Sequence, residues 1–368
     1  MAPTILSDTE RVAWLRLIRT ENVGPQTFRQ LVARTGTAAA ALDALPVLGR
    51  RLGTAPRIAS QAEAEDEIAA LARLGGRLIA TVEAEYPPLL RHISGPPPLL
   101  SMIGATGLDL NRTVAVVGAR NASAAGQKMT RLLAGDLGVA GYVIVSGLAR
   151  GIDAAAHRAS LRTGTVAALA GGMDCIYPEE NIPLARAIVE QGGLLVSEMP
   201  MGWQPRARDF PRRNRLVSGM SLGVVVVEAA KRSGSLITAR MALEQDREVF
   251  AVPGSPLDPR AEGGNALIQD GARLITGAHD IIETLGSGRL PFSPPQPETD
   301  MPGMFEDAEP SEDDRASLLA ALSFTPVPVD ELIVNTGLSA SATQMLLLGL
   351  DLEGRIEWAS GQLVALRP

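Results

Sequence analysis

Six short apolar runs in the middle of the chain restrict its possible folds more than any other feature. They are TVAVVG at 113–118, YVIVSG at 142–147, TVAALA at 165–170, LLVS at 194–197, LGVVVVE at 222–228 and EVFAV at 248–252. Each run would be apolar on both faces of a strand, and a stretch long enough for one helix separates it from the next. This alternation predicts an α/β fold with a Rossmann-like, doubly wound, mainly parallel sheet, which we assign to residues 85–288.

The residues before the sheet, 1–84, are expected to form a helical N-terminal domain. Apolar side chains recur at helical spacing through Val12, Leu15 and Ile18. The segment 21–36, ENVGPQTFRQLVARTG, looks like a helix-hairpin-helix or SAM-like element. The glycine-containing turn of such a hairpin can offer backbone N–H groups to a phosphate, although packing alone also explains this turn.

Two further segments follow the sheet. Residues 289–312 are rich in proline and acid, which predicts a flexible linker. Residues 313–368 read as helices at 313–322, 329–336 and 339–352 followed by a hairpin with a Ser360-Gly361 turn, the order of a winged helix. Winged helices often bind duplex DNA, but the cations of this one are few, so we interpret it as a protein-interaction or stabilising module. Those cations are Arg315, Arg355 and Arg367.

The formal net charge of −7 is unevenly distributed along the chain. Between residues 291 and 315 there are eight acidic side chains and one basic, a net of −7, so the remainder is neutral overall. Between residues 201 and 240 there are eight basic side chains and two acidic, a net of +6. The global charge therefore hides a basic segment that suits an anionic partner.

The composition also bears on location and on metals. Cys175 is the single cysteine, which fits a reducing compartment, and the three histidines lack metal-ligand spacing. The N-terminal sequence does not resemble a secretion signal, and no apolar run approaches the roughly 18 residues of a membrane helix. We therefore expect a cytoplasmic protein with no metal, no cofactor and no membrane contact.

Candidate binding residues follow the strands, because ligands of doubly wound sheets lie outside the carboxyl ends of the strands. After the first run, Gly118 opens a turn that carries Arg120 but has neither the GxGxxG pattern nor the Walker lysine of nucleotide sites. Arg120 and the N–H groups at the start of the next helix suit an anion. After the second run, Ser146 and Gly147 permit close backbone approach.

Asp153 and His157 lie one helical turn apart after the second run. This spacing suits an acid-base pair, but no serine or cysteine nucleophile has a place beside them. A capping and hydrogen-bonding role is the favoured interpretation.

The most informative stretch is 210–219, FPRRNRLVSG. Its first six residues combine three arginines, an asparagine and a phenylalanine, and so supply the phosphate neutralisation, amide hydrogen bonding and stacking that single-stranded nucleic acid needs. Lys231 and Arg232 form a second basic cluster after the fifth run, and the small residues Gly234 and Ser235 follow them. Two basic clusters at the sheet therefore predict an anion-binding groove.

Several separated blocks, in this order, resemble the DNA-processing protein A family (DprA, also called Smf), which acts in bacterial natural transformation. The blocks are VAVVGAR, SGLARGIDAAAH, GGMDCIYPEEN, LVSEMP, FPRRNRLVSG, VVVEAAKRSGSLITA, and VPGSP followed by GGNALIQDGA. The resemblance covers about residues 113–273. It implies a Rossmann-like core that forms a homodimer, binds and protects single-stranded DNA without catalysis, and loads the RecA recombinase.

The resemblance also implies which residues bind DNA. Arginines would clamp phosphates, Asn214 would bond phosphates or base edges, and Phe210 would shape the pocket or stack within it. The resemblance places the DNA pocket on Gly118, Arg120, Ser146, Gly147, Phe210, Arg213, Asn214 and Arg215. To these we add Lys231 of the second basic cluster and the small residues Gly234 and Ser235 that follow it. The chain departs from the family pattern at Ala119, where serine is usual, and at Ile182, where arginine or lysine is frequent.

Two other functions remain open from the sequence. A nucleotide phosphoribohydrolase-like Rossmann enzyme would use Glu228, but the Pro-Gly-Gly turn that such enzymes carry is missing. A purely structural scaffold would make the basic segment an ordinary solvated face and would not bind DNA.

Overall fold

The computed structural model describes residues 5–51, 56–286, 311–359 and 362–367. The described residues fall into two compact units, and each is treated by itself below. The core unit comprises residues 67–93 and 99–286. The accessory unit comprises residues 5–66 and 94–98 together with the described residues from 311 onward.

Four helices begin the chain: α1 (Asp8–Arg19), α2 (Pro25–Thr35), α3 (Ala38–Arg51) and α4 (Gln61–Arg73). Helix α1 starts with a capping box, in which Ser7 and Glu10 each accept a hydrogen bond from the other's backbone N–H. Pro25 opens α2 directly after Gly24, where its missing N–H costs no helical hydrogen bond. The helical pattern expected before the sheet is confirmed.

A nine-stranded sheet forms the centre of the core unit. Its strands are β1 (Gly76–Ala80), β2 (Leu99–Gly104), β3 (Thr113–Val117), β4 (Val143–Ser146), β5 (Thr165–Ala168), β6 (Leu194–Ser197), β7 (Gly223–Val226), β8 (Glu248–Ala251) and β9 (Arg273–Leu274). They lie in the order β1-β2-β6-β5-β4-β3-β7-β8-β9. All neighbours from β6 to β9 are parallel, whereas β2 is antiparallel to both β1 and β6. The predicted Rossmann-like, mainly parallel sheet is confirmed.

Strands β1 and β2 extend the sheet beyond the six runs. Residues 76–80 belong to the region assigned above to a helical domain, yet they pair with β2 and bury Leu78, Ile79 and Ala80. No strand was predicted there, because antiparallel pairing with a segment about 20 residues further along leaves little local signal. The boundary proposed between the first two domains stays a prediction.

Helices cover both faces of the sheet. They are α5 (Ala124–Val139), α6 (Ile152–Ser160), α7 (Ile182–Glu190), α8 (Asp209–Gly219), α9 (Gly234–Glu244), α10 (Glu262–Gln269) and α11 (Ala278–Gly286). Alternate residues of β3 point into different apolar clusters: Ala115 and Val117 into one, Val114 and Val116 into the other. This burial on both faces explains the continuous apolar runs.

The strand order reverses between β3 and β7. The chain passes from β3 through β4 and β5 to β6 in one direction, then returns to β7 on the other side of β3. The connections leaving these two strands therefore diverge, which opens a crevice at their carboxyl ends. Binding residues are expected in that crevice.

The described C-terminal residues have the winged-helix order. The elements are α12 (Glu312–Ala321), β10 (Val327–Pro328), α13 (Val329–Thr336), α14 (Ala340–Leu352), β11 (Ile356–Ala359) and β12 (Leu363–Leu366). Strand β12 lies between β10 and β11 and is antiparallel to both. The predicted Ser360-Gly361 turn and most of the predicted linker lie outside the described residues.

Membrane-spanning potential was searched over the described residues. No single helix there is both long and apolar enough to cross a bilayer, although two sharply bent helix pairs reach the required length and composition when each pair is taken together.

Candidate nucleic-acid interface

A groove of about 470 Å³ lies at the carboxyl ends of β3, β4 and β7, on the crevice where the strand order reverses. A second cavity of about 330 Å³ adjoins it and shares Arg120, Gly147, Phe210 and Arg213 with it. The groove brings together most residues expected to bind DNA. Those that line it are Gly118, Arg120, Gly147, Phe210, Arg213, Asn214, Gly234 and Ser235.

An aromatic ring and an arginine form one wall of the groove. The guanidinium carbon of Arg120 lies 5.4 Å from the ring centroid of Phe210. On the same ring, Tyr177 makes an edge contact with centroids 5.6 Å apart, and about half of the Tyr177 side chain is exposed. This wall combines a cation with two aromatic rings, which suits a phosphate beside a stacked base.

Helix α8 divides the basic stretch between two faces. Phe210, Arg213 and Asn214 point into the groove, as helical spacing requires for residues three and four apart. Arg212 and Arg215 point to the opposite side and both pair with the buried carboxylate of Glu198. One side of α8 therefore lines the groove, and the other side forms ion pairs with Glu198.

The structure places Arg215 outside the groove lining. The resemblance implies that it clamps a phosphate, but its side chain is mostly buried and lies against Glu198, and it does not line the groove. The Glu198 carboxylate also accepts a bond from Arg212 Nε at 3.1 Å. The charge of Arg215 thus serves an ion pair beneath α8.

Arg213 lines the floor of the groove but is only 6 % exposed. Its Nη1 donates to the carbonyls of Gly147 and of Ala168, the latter at 2.7 Å, and its Nε donates to Asn214 Oδ1 at 3.2 Å. Burial lowers the pKa of Arg213 to about 10, so the side chain stays charged at neutral pH. Arg213 joins the ends of β4 and β5 to α8, and so it shapes the groove from below.

Asp153 and His157 have structural partners. The Asp153 carboxylate accepts bonds from the N–H groups of Gly147 at 3.1 Å and Ala149 at 3.3 Å, which fixes the turn after β4. Burial raises the pKa of Asp153, and the charge of Arg213 opposes that shift. His157 Nδ1 lies 2.8 Å from Thr165 Oγ1, and burial lowers its pKa to about 3. His157 is therefore neutral at physiological pH.

Ser146 and Lys231 also lie outside the groove lining. Ser146 is fully buried and donates to the carbonyl of Val116 at 2.7 Å, so its hydroxyl ties β4 to β3. Lys231 is exposed in the loop between β7 and α9. Neither side chain contributes to the groove surface in this conformation.

The N-terminus of α9 lines the groove, whereas the sequence favoured that of α5. Glu228 occupies the start of α5, because its carboxylate accepts hydrogen bonds from the N–H of Ser123 at 2.9 Å and from the Ser123 hydroxyl. At α9, Ser233 is the N-cap, and Gly234 and Ser235 of the first turn line the groove. The positive end of the α9 dipole therefore faces the groove.

Three cationic side chains and one aromatic side chain of the lining were missing from the expected set. Arg232 and Arg260 line the larger groove, and Arg150 and Tyr177 line the adjoining cavity. Arg150 pairs with Glu180 at 2.6 Å and Arg260 with Asp258 at 2.9 Å. Tyr177 carried a sequence signal, since it belongs to the block GGMDCIYPEEN after the third run, and tyrosine combines an apolar ring with a polar hydroxyl that suits binding surfaces.

The described lining residues of the groove offer cations, amides and aromatic rings. Asp153 and His157 are fixed by structural hydrogen bonds, and Glu228 is bonded to Ser123. Among the described residues, no group of three His, Cys, Asp or Glu side chains is placed to hold a metal ion. The fold and the site together define a Rossmann-like protein with a groove lined by cations and aromatic rings at its topological switch point.

The chain belongs to the DNA recombination-mediator protein A family, whose model matches residues 77–286. A DprA-like N-terminal helix-hairpin-helix domain matches residues 8–70, and a DprA winged-helix domain matches residues 303–362. The family resemblance found in the sequence is thereby confirmed, as are the helical and winged-helix domain types.

Relatives of this family match most of the chain. Protein Smf of Escherichia coli is 38 % identical over 98 % of this chain and 96 % of its own length. DNA processing protein DprA of Bacillus subtilis is 43 % identical over 62 % of this chain and 77 % of its length. The X-ray structure of DprA from Streptococcus pneumoniae matches with a TM-score of 0.61 and 32 % identity, covering 76 % of this chain and 98 % of that one.

A second solved structure concerns DprA from Helicobacter pylori and its single-stranded DNA binding mode. It matches with a TM-score of 0.53 and 31 % identity, covering 58 % of this chain and 96 % of that chain.

Proposed function

We propose that this protein binds single-stranded DNA in the groove at the ends of β3, β4 and β7, and does not cut or modify it. The observation that carries the proposal is the juxtaposition of Arg120, the Phe210 ring and the N-terminus of α9 around one open groove. Cations and helix N-terminal amides neutralise phosphates, while aromatic rings accept bases of any sequence. The binding mode studied in the Helicobacter pylori relative supports the same ligand.

In this mechanism the backbone runs along the cationic side of the groove. Arg120 and Arg232 contact phosphates, the N-terminus of α9 faces them with the positive end of its dipole, and the Phe210-Tyr177 pair receives a base. Arg213 holds the groove floor in place through the carbonyls of Gly147 and Ala168. Binding of this kind is salt-dependent and shows little base preference.

The experiment is a titration of fluorescent oligo-dT with the full chain at several salt concentrations. Arg120→Ala removes an exposed phosphate contact, so the affinity falls several-fold and the log–log salt slope decreases by about 0.7. Arg240→Ala is the matched control, because Arg240 lies on α9 outside the groove and is largely exposed. Equal affinities of the parent and Arg120→Ala proteins would refute the groove assignment.

The absence of catalysis is part of the proposal. The phosphoribohydrolase alternative rests on Glu228, whose carboxylate anchors Ser123 at the start of α5 and therefore has a structural role. Labelled DNA and nucleoside monophosphates should remain intact after incubation with the protein. Base release that disappears in a Glu228→Gln protein would favour the enzyme instead.

The family resemblance extends the proposal to partners. We propose that the protein acts as a homodimer through its Rossmann-like domain, protects incoming DNA during natural transformation, and loads the RecA recombinase onto it. RecA filament growth on single strands coated with single-strand-binding protein should accelerate when this protein is added. No acceleration, in conditions where the DNA is bound, would separate DNA binding from recombinase loading.

A further inference from the structure

The winged-helix module has an unusual third helix. In winged and related helix-turn-helix folds this helix commonly enters the major groove of duplex DNA and needs exposed polar or basic side chains. Here α14 has the sequence ASATQMLLLGLDL, without lysine or arginine. Its buried residues are Thr343, Leu346, Leu347, Leu348, Gly349, Leu350, Asp351 and Leu352.

These buried residues face two different cores. Leu346, Leu347 and Leu350 belong to the apolar cluster of the winged helix itself. Leu348 and Leu352 belong instead to a cluster formed by α1, α2 and α3. Helix α14 therefore packs on both sides, and one of its partners is the N-terminal helical segment of the same chain.

Polar contacts fix the register of this packing. The hydroxyl of Thr27 in α2 donates to the carboxylate of Asp351, and both side chains are buried. The indole Nε1 of Trp358 donates to the same carboxylate at 3.2 Å. Asn22, in the turn between α1 and α2, donates through Nδ2 to the carbonyl of Leu352 at 3.0 Å. The hairpin turn thus satisfies a carbonyl at the end of α14 that would otherwise lack a helical donor.

We propose that the winged helix of this protein is a receptor for the chain's own N-terminal helical hairpin and does not read duplex DNA. The second half of α14 carries the leucines and the aspartate that contact the N-terminal helices. The two ends of the chain then fold as one cooperative unit. This inference concerns the accessory unit and is independent of the DNA groove in the core unit.

The test is hydrogen exchange on the full chain. Thr27→Val keeps the shape of a side chain in α2 but removes its bond to Asp351, so amides of α2 and of the second half of α14 should exchange about tenfold faster together. Val334→Thr is the control, because Val334 is 79 % exposed on α13 and should leave both helices protected. Faster exchange of α2 alone, with α14 at its parental rate, would overturn the proposal.

A second variant keeps the inference falsifiable if the first effect is small. Leu348→Asp places a charge at the cluster shared with α1–α3 while leaving the leucines of the winged-helix cluster in place. Amides of α2 and α3 should lose protection at least tenfold, and α12 should keep its protection. Unchanged exchange in α2 and α3 would show that the two segments do not stabilise each other.

Binding of duplex DNA tests the second part of the proposal, that α14 does not read duplex DNA. Ser341 and Gln344 are exposed in the first part of α14, where a reading helix would contact bases. Ser341→Glu and Gln344→Glu should leave the affinity of the full chain for a duplex oligonucleotide within twofold of the parent. A larger loss would show that α14 reads duplex DNA after all.

Discussion

Replacing Arg213 with alanine tests whether this buried side chain stabilises the groove, as distinct from binding DNA directly. The change leaves the carbonyls of Gly147 and Ala168 without their guanidinium donor, at roughly 1–3 kcal/mol for each unsatisfied buried group. It also removes the positive charge that offsets the burial of Asp153. Together these losses should destabilise the core unit by about 3–5 kcal/mol, in line with breaking a buried charge network. The melting temperature of that unit should fall by about 10 °C.

The assay is calorimetric or circular-dichroism melting, paired with oligo-dT binding at a temperature where the variant is folded. Arg120→Ala is the matched comparison, because it removes the same charge from an exposed position and should change stability by less than about 0.5 kcal/mol. Weak binding by Arg213→Ala would then coincide with low stability, whereas Arg120→Ala would bind weakly at parental stability. If the Arg213→Ala protein had the same melting temperature as the parent, the structural role assigned to Arg213 would be refuted.

The same variant has a pH signature. Burial raises the pKa of Asp153 and Arg213 opposes that shift, so removing Arg213 raises the pKa further. A carboxyl whose folded pKa is raised favours folding most when protonated, and this contribution is lost as pH rises through the folded pKa. The stability deficit of Arg213→Ala should therefore be largest near neutral pH and shrink as the pH falls toward about 4. A deficit that grows on acidification would contradict this reasoning.

Two further predictions concern the aromatic wall and the accessory unit. Phe210→Ala and Tyr177→Ala should each weaken oligo-dT binding by about 1–3 kcal/mol, measured by anisotropy, and the double variant should lose less than the sum because the rings are in contact. Asp351→Asn should stabilise the accessory unit by about 1 kcal/mol at pH 8 in urea unfolding, because burial raises the carboxyl pKa and the amide oxygen still accepts from Thr27 and Trp358. This gain in the free energy of unfolding should vanish near pH 4. A gain that is the same at pH 4 and pH 8 would be due to packing and not to the charge of Asp351.

The sequence specified the parallel part of the sheet because each buried strand carries its own continuous apolar signal. Strands β3 to β8 coincide with the six runs. Strand β2 escaped because its neighbour β6 lies far along the chain, β1 because its antiparallel pairing with β2 leaves little local signal, and β9 because two exposed residues give no periodic pattern. The association of α14 with α2 escaped for a related reason. Residues 346–350 of α14 are apolar on all sides, which indicates burial on two sides, but the second partner is some 320 residues away in the chain.

Residue composition predicted a cationic site, but it did not predict which of the arginines line the groove. Three arginines within six residues were treated as one cationic cluster, yet the helical repeat sends Arg213 to the groove floor and Arg215 to Glu198. The repeat was readable from the sequence, since residues 210, 213, 214 and 217 share one helical face. The buried acceptors were not readable, because they are backbone carbonyls from two strands brought together by the sheet. Substitutions of exposed cations such as Arg120 therefore test DNA binding. Substitution of the buried Arg213 tests whether the groove keeps its structure.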